Sequence, residues 1–407
     1  MVPREVPHHL AGAQAPSPRG PLVRIRALTA GVPLGTFSDG SAVDDALAAL
    51  WRSKRRFEEA GYEVQTLRIA TPALVGAMSP RERQSALDAI KHLDALVAGR
   101  NALLSIGPVL TADRPDAGLA AWAAELAAAT KVTSFSVTIA STSGELHRRA
   151  CAEAARIVVA LSRAAPGGTA NFRFAAAAGI PAGTPFFPVA YHEGPAALAV
   201  GVESPRLVRE ALTSNGGGFE RCGERLRDAL QGALAPIAAL AGTCAQDEGR
   251  IYIGIDPSPA PGMDSSIGQA IEALTGAPFG AASTLDACAA ITGALKQLSV
   301  ATCGYAGLML PVLEDPVLAR RAAEGRFGLR DLLLFSAVCG TGLDVVPLPG
   351  DTPAEVLTRI IADVAALSVR LRKPLSARLF PIPGKRVGEA VSFDDPLLTT
   401  SVALPPE

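Results

Sequence analysis

The chain alternates short runs of β-branched and aromatic residues with longer amphipathic stretches, and this alternation most constrains its fold. A clear strand pattern at 131–139 is followed by a helix pattern at 144–163, and a second strand at 250–255 precedes a helix at 265–274. Helices between strands return the chain to the same end of a sheet, so neighbouring strands run parallel. The pattern predicts an α/β architecture. No Pro-, Gly- or Ser-rich linker divides residues 21–407, which predicts a single domain.

Composition narrows the classes of partner. The 407 residues are 49% hydrophobic and 19% charged, with a formal net charge of −1, so nothing electrostatic favours nucleic acid or an anionic membrane. No signal peptide or apolar run of membrane-spanning length is found, and the six cysteines form no CxxC pairs. Residues 1–20 predict a disordered Pro-rich tail. We expect a cytoplasmic protein that binds a small-molecule substrate, with a homodimer as the common default.

Two cysteines are each followed by glycine inside the densest runs of unusual residues. Cys303 lies in Thr-Cys-Gly-Tyr-Ala-Gly, and Cys339 lies in Val-Cys-Gly-Thr-Gly-Leu-Asp. Cofactor-independent amino-acid racemases use a similar Cys-Gly-Thr-Gly run. A Cys339 thiolate could remove a proton or attack a carbonyl, while Gly340, Thr341 and Gly342 bind the resulting anion. The alternative is a buried structural cysteine in a tight turn.

Three residues are candidates for further catalytic roles. Cys303 could be a second acid/base or could be inert. His192 lies in a non-helical, motif-like setting, Tyr-His-Glu-Gly, where it could exchange protons near neutral pH; a histidine that is only hydrogen-bonded is the alternative. Asp344, at the end of the second Cys-Gly run, is a candidate catalytic carboxylate.

Four polar residues could hold an anionic substrate. Asn171 and Arg173 fall in a predicted strand near 168–175, and a buried Arg173 would need a substrate carboxylate or an internal salt bridge. Arg378 and Lys385 could neutralise the same anion or simply cap the end of the sheet. Residues 215–218, Asn-Gly-Gly-Gly, precede a predicted helix and form either an anion site or a flexible turn.

No cofactor is predicted, although a divalent metal is possible. Asp256 and Asp351 are weak candidate ligands, because carboxylate oxygens are the ligands that hard cations prefer. Their spacing fits no EF-hand loop, and nearby Asp264 could equally cap a helix.

The motifs taken together resemble a known family. They are Asn171-Phe172-Arg173, Pro185-Phe186-Phe187-Pro188 with Tyr191-His192, Gly254-Ile255-Asp256, Cys303-Gly304-Tyr305, the run from Val338 to Asp344 with the run from Pro347 to Thr352, and Arg378 through Pro383-Gly384-Lys385. This ordered series, over roughly residues 22–395, resembles the UPF0210 (DUF711) family. The resemblance implies a fold like that of pyruvate formate-lyase, which is a ten-stranded α/β barrel with a loop inserted into its centre.

Radical chemistry is not implied by this resemblance. Glycyl-radical enzymes need an Arg-Val-x-Gly-aromatic run, and here residues 386–389 read Arg-Val-Gly-Glu. We therefore predict a non-radical, cysteine-dependent enzyme on a small carboxylate or carbonyl substrate, an isomerase, cyclase or lyase that passes through an enolate or thioester. A metal-dependent enzyme with aspartate ligands and a non-catalytic ligand-binding or regulatory protein are the alternatives.

Overall fold

The computed structural model describes residues 21–74, 78–214 and 218–407. Over these residues nine strands form one sheet, and in their order across the sheet they are β7 (Ile251–Asp256), β6 (Ala197–Glu203), β1 (Arg24–Gly31), β2 (Leu67–Ala70), β3 (Ala102–Pro108), β4 (Thr133–Ala140), β5 (Phe174–Ala178), β9 (Leu375–Ile382) and β8 (Gly342–Pro349). Strands β1 to β5 are mutually parallel, β6 pairs with β7 and β8 with β9 in parallel, and the pairs β1–β6 and β5–β9 are antiparallel. The predicted α/β fold with much parallel sheet is confirmed. The family resemblance implies more than this, a closed ten-stranded barrel, and that closure stays a prediction.

The elements follow one another along the chain with helices between most strands. Two further strands, β10 (Ala390–Val391) and β11 (Ser401–Val402), form a separate antiparallel pair. The α-helices are α1 (Gly40–Glu59), α2 (Pro80–Gly99), α3 (Leu119–Ala129), α4 (Arg148–Ala164), α5 (Pro205–Thr213), α6 (Cys222–Asp247), α7 (Ile267–Thr275), α8 (Thr284–Leu295), α9 (Pro316–Ala323), α10 (Leu329–Ser336) and α11 (Ala354–Leu371).

The local structure differs from the sequence prediction in two places. The strand predicted near 168–175 is mostly 3₁₀-helical turns within Pro166–Arg173, interrupted at Gly167 and Gly168, whose φ of 63° and 72° are left-handed. The run after Cys339, in which the sequence pattern predicts no strand, contains the buried strand β8. Strand β8 lies at an edge of the sheet, and an edge strand tolerates the prolines that obscure it in the sequence.

The two faces of the sheet differ in polarity. On β4, Phe135, Val137 and Ile139 belong to the main hydrophobic core, which also contains side chains of the helices. Successive strand residues point to opposite faces, so Ser134 and Ser136 point the other way. This second, inner face carries polar side chains along several strands, which is unusual for a strand buried on both sides.

The segment 181–192 crosses the inner face of the sheet. Its carbonyl groups accept hydrogen bonds from hydroxyl groups of the strands: Thr29 donates to Pro185 at 3.0 Å and Ser105 donates to Ala190 at 2.7 Å. Strand hydroxyls thus satisfy backbone groups that would otherwise be buried without partners. Residues of this segment line two cavities on the same face of the sheet.

Two further predictions concern residues that the structure leaves undescribed. The tail at 1–20 lies outside the described residues, as does most of the Asn-Gly-Gly-Gly turn at 215–218. Among the described residues, none of the helices combines the length and the apolar character needed to cross a bilayer.

Candidate functional site

A cavity of about 520 Å³ lies on the inner face of the sheet. Its basic lining residues are Arg26, Arg68, Lys131, Arg173 and Arg378, and its acidic ones are Glu314 and Asp344. Among the described lining residues this leaves an excess of three positive charges. We call this space the arginine cavity. Phe172, Phe186, Phe187 and Tyr305 add aromatic walls, so the cavity fits an anion with an apolar body.

Arg68 is a buried basic residue of the cavity that forms no ion pair with a described carboxylate. It lies on β2 and is 7% exposed. Its Nε donates to Thr66 Oγ1 at 3.0 Å, and its guanidinium stacks over the Phe187 ring at 5.0 Å. No described residue accepts a hydrogen bond from its two terminal nitrogens. Burial lowers the pKa of Arg68 to about 9, so it stays charged at neutral pH and would be stabilised by an anion.

Arg378 forms ion pairs with both acidic residues of the arginine cavity. Its Nη1 donates to Asp344 at 2.8 Å and to Glu314 at 3.1 Å, and its Nη2 donates to the Phe172 carbonyl. Burial raises the pKa of the Asp344 carboxyl, while Arg378 opposes that rise and Glu314 adds to it. A buried carboxyl with a raised pKa is the type of group that can act as a general acid or base.

The two Cys-Gly runs meet beside the cavity. Asp256, at the end of β7, is fully buried and accepts hydrogen bonds from the backbone N–H groups of Tyr305 and Ala306 at 2.8 and 3.1 Å. These bonds wrap the first run around the Asp256 carboxylate and place Tyr305 in the cavity wall. The same run then approaches the second so closely that a Cβ added to Gly307 would overlap the backbone of Gly340.

The structure does not bring the two thiols to the arginine cavity. Cys339 is fully buried in the main hydrophobic core, and the Gly340 amide that follows it donates to the Leu308 carbonyl at 3.1 Å. Cys303 is partly buried. Burial raises the pKa of its thiol well above the ordinary value, and the negative charge of the nearby Asp256 carboxylate adds a smaller rise. Of the second run, Thr341 and Asp344 do line the cavity. Gly342 instead packs against β9 with a φ of 89°.

Three other predicted site residues hold the fold together. Arg173 lines the cavity, but its guanidinium donates to carbonyl groups at the end of α3, including that of Thr130 at 3.0 Å. Asn171 is buried, and its amide nitrogen donates to the Val158 carbonyl. The His192 ring packs on Gly31, and its Nε2 lies 2.7 Å from the Pro195 carbonyl. Carbonyl groups at the end of a helix therefore satisfy the donors of Arg173, and no ion pair to it is found among the described residues.

The two candidate metal ligands differ in burial, since Asp256 is fully buried and Asp351 is exposed. Asp256 already accepts four hydrogen bonds, two of them from Ser258. Asp351 lies exposed in the turn after β8, and Lys385 lies in the turn after β9. Neither Asp351 nor Lys385 lines the arginine cavity. Within the described ranges, no three His, Cys, Asp or Glu side chains form a group that could hold a metal ion.

Comparison with known proteins places these motifs in a family. Residues 22–394 match the family described as uncharacterised ACR, DUF711. The chain belongs to the DUF711 family. It is 32% identical over 348 residues to a UPF0210 protein of Pyrobaculum arsenaticum, which covers 81% of this chain and 76% of that protein. It is 32% identical over 307 residues to a UPF0210 protein of Desulforudis audaxviator, covering 69% of this chain and 65% of that protein. The family resemblance predicted from the sequence is confirmed.

Sequence reasoning misses three charged residues of the cavity in this DUF711 protein. They are Arg26, Arg68 and Lys131. Two of them carry a signal in the sequence, since Arg68 lies between Leu67 and Ile69 and Arg26 lies between Ile25 and Ala27. A charged residue on the inner face of a buried strand needs a partner, a cavity or a ligand. Lys131 is exposed and precedes β4, so it carries no such signal.

Proposed function

We propose that this protein is an enzyme that binds a small carboxylate in the arginine cavity and transfers a proton to or from it. The observation that supports this most strongly is Arg68, whose terminal nitrogens face a cavity without a carboxylate partner among the described residues. A guanidinium binds a carboxylate through two parallel hydrogen bonds. The excess of positive charge around it would hold the substrate and would stabilise negative charge that develops during the reaction.

Asp344 is the residue that we propose for proton transfer. It lines the cavity and is 8% exposed, and burial raises the pKa of its carboxyl. The Tyr305 hydroxyl lies in the same cavity, and its single proton is donated to Ser376 at 2.8 Å. Turning that proton away from Ser376 and towards the substrate would let Tyr305 donate a hydrogen bond to an enolate oxygen. An isomerisation, cyclisation or lysis through an enolate would need these same groups: an anchor for the carboxylate, a base and a stabilised oxyanion.

Cysteine-dependent catalysis is the competing mechanism. The close contact between Gly307 and Gly340 brings the two Cys-Gly runs together, as a paired-thiol mechanism would require. However, both thiols lie outside the cavity lining, and the raised pKa of Cys303 disfavours a thiolate. We therefore prefer acid–base chemistry at Asp344, and the cysteine mechanism stays a prediction that alkylation rates can test.

We also propose that the sheet closes into a barrel like that of pyruvate formate-lyase. Thr302 forms an isolated parallel β-bridge with Ile255 on β7, and Pro311 forms another with Asp344 on β8. Strands β7 and β8 are the two edges of the sheet, so one short segment pairs with both. That segment, which carries the first Cys-Gly run, would then take the place of the tenth strand.

The proposal can be tested by ligand binding to the whole protein. Succinate and its uncharged analogue succinamide serve as probes, and binding is followed by isothermal titration calorimetry. We expect succinate to bind and Arg68→Gln to weaken that binding at least tenfold, because a charge-assisted hydrogen bond contributes about 1.5–3 kcal/mol. Arg250→Gln is the matched control, since Arg250 is also desolvated by burial but lies away from the cavity.

The outcomes separate the interpretations of the cavity. Equal binding of succinate and succinamide would contradict the proposal, as would an Arg68→Gln protein that binds succinate as the parent does. A third outcome is that succinate binding depends on Arg68 but neither the parent nor Asp344→Asn converts any of the tested carboxylates. The protein would then bind an anion without catalysing a reaction on it. That result would reject the enzymatic part of the proposal and keep the anion site.

A further inference from the structure

A second cavity lies on the other side of the segment 181–192. Its volume is about 290 Å³, near the lower limit for small-molecule sites. Phe186 and Phe187 of the segment line the arginine cavity, whereas Val189 and Tyr191 line the second one. This second cavity lies towards the carboxyl ends of the parallel strands β3 and β4, which is where α/β folds usually bind ligands.

Hydroxyl groups dominate the polar lining of the second cavity. Ser136 and Thr138 come from the inner face of β4, and Thr111 and Thr142 come from the loops that follow β3 and β4. None of these four hydroxyls has a hydrogen-bond partner among the described residues. We call this space the hydroxyl cavity.

Ser136 supplies the observation that points to a ligand. Its side chain is fully buried, and its hydroxyl oxygen has no hydrogen-bond partner among the described residues. Its neighbours Phe135 and Val137 face the main core on the opposite side of the sheet, so Ser136 points into the hydroxyl cavity that it lines. A buried hydroxyl without a partner costs about 1–3 kcal/mol, and a ligand that hydrogen-bonds to it would recover that free energy.

The charges of the two cavities indicate different ligands. No basic side chain is found among the described residues that line the hydroxyl cavity, and Glu193 is its one charged lining residue. The carboxylate would repel an anion of the kind that the arginine cavity attracts. We propose that the hydroxyl cavity binds a small uncharged molecule with several hydroxyl groups, held by Ser136 and Thr138. This inference does not depend on the proposed enzymatic function.

The proposal can be tested by saturation-transfer NMR on the full chain with ribose and glycerol as probes. We expect saturation transfer to ribose in the parent protein and an affinity about tenfold lower in Ser136→Ala, the equivalent of one lost hydrogen bond. Thr138→Val, which keeps the side-chain shape, should weaken binding by a similar factor and serves if Ser136→Ala fails to fold. Ser134→Ala is the matched control, because Ser134 lies two residues away on the same face but lines the arginine cavity.

Three results would overturn the inference. The first is the absence of saturation transfer to both probes at millimolar concentration. The second is a Ser136→Ala or Thr138→Val protein that binds ribose as tightly as the parent. The third is an equal loss in Ser134→Ala, which would place the ribose in the arginine cavity. Failure of succinate binding would leave this result unaffected, so the two proposals fail separately.

Discussion

Replacing Asp256 by asparagine should change how the stability of the protein depends on pH. The carboxylate is completely buried, and burial raises its pKa from 3.8 to about 6 despite the N–H and O–H donors around it. A folded-state pKa that exceeds the unfolded one means that the folded protein binds this proton more tightly. The resulting stabilisation is fully present below about pH 4 and is lost as the pH rises through about 6.

The size of the effect follows from the two pKa values. Their difference corresponds to about 3 kcal/mol in total, of which about 2 kcal/mol is lost between about pH 4.5 and about pH 7. The asparagine side chain carries no titrating proton, so the difference in unfolding free energy between parent and Asp256→Asn should fall by about 2 kcal/mol over that interval. Asparagine should also lower stability by about 1–3 kcal/mol throughout, because its NH₂ group faces N–H donors.

Equilibrium urea unfolding of both proteins at the two pH values measures this difference directly. Comparing parent with variant cancels the other titrating groups, which both proteins share. A difference that stays constant with pH would refute the raised pKa. A difference that grows with pH would show that hydrogen bonds from Ser258, Tyr305 and Ala306 lower the pKa of Asp256 more than burial raises it.

The remaining predictions concern the two Cys-Gly runs. Gly307→Ala should lower stability by about 3 kcal/mol or more, because the added methyl group meets the backbone of Gly340 and neither chain can move aside; thermal unfolding measures this. Gly293→Ala is the control, since that helical position has open space around it and should gain up to about 1 kcal/mol. Cys303 and Cys339 should both react slowly with iodoacetamide at pH 7.5 in the native protein, as peptide mass spectrometry can follow. Rapid alkylation of either thiol would instead support a cysteine-dependent mechanism.

The helices and most strands can be predicted from the sequence because their signals are local. Ser79 followed by Pro80 marks the start of α2, and the structure shows the complete capping box there, with Glu82 returning a hydrogen bond. Strands β4 and β7 stand out by their β-branched residues. Strand β8 could not be predicted, because Gly342, Pro347 and Pro349 are typical of loops and only its position at the sheet edge makes them acceptable.

The sequence by itself determined the α/β class, the family and the presence of two unusual Cys-Gly runs. It indicated Asp344 and Arg378 as candidates, yet it also favoured Cys339, which lies in the core. Only the tertiary structure decided which charges share a cavity. Arg68 and Arg378 lie far apart along the chain and line one cavity because β2 and β9 belong to one sheet. Burial and pairing arise from such long-range contacts, and no local pattern contains them.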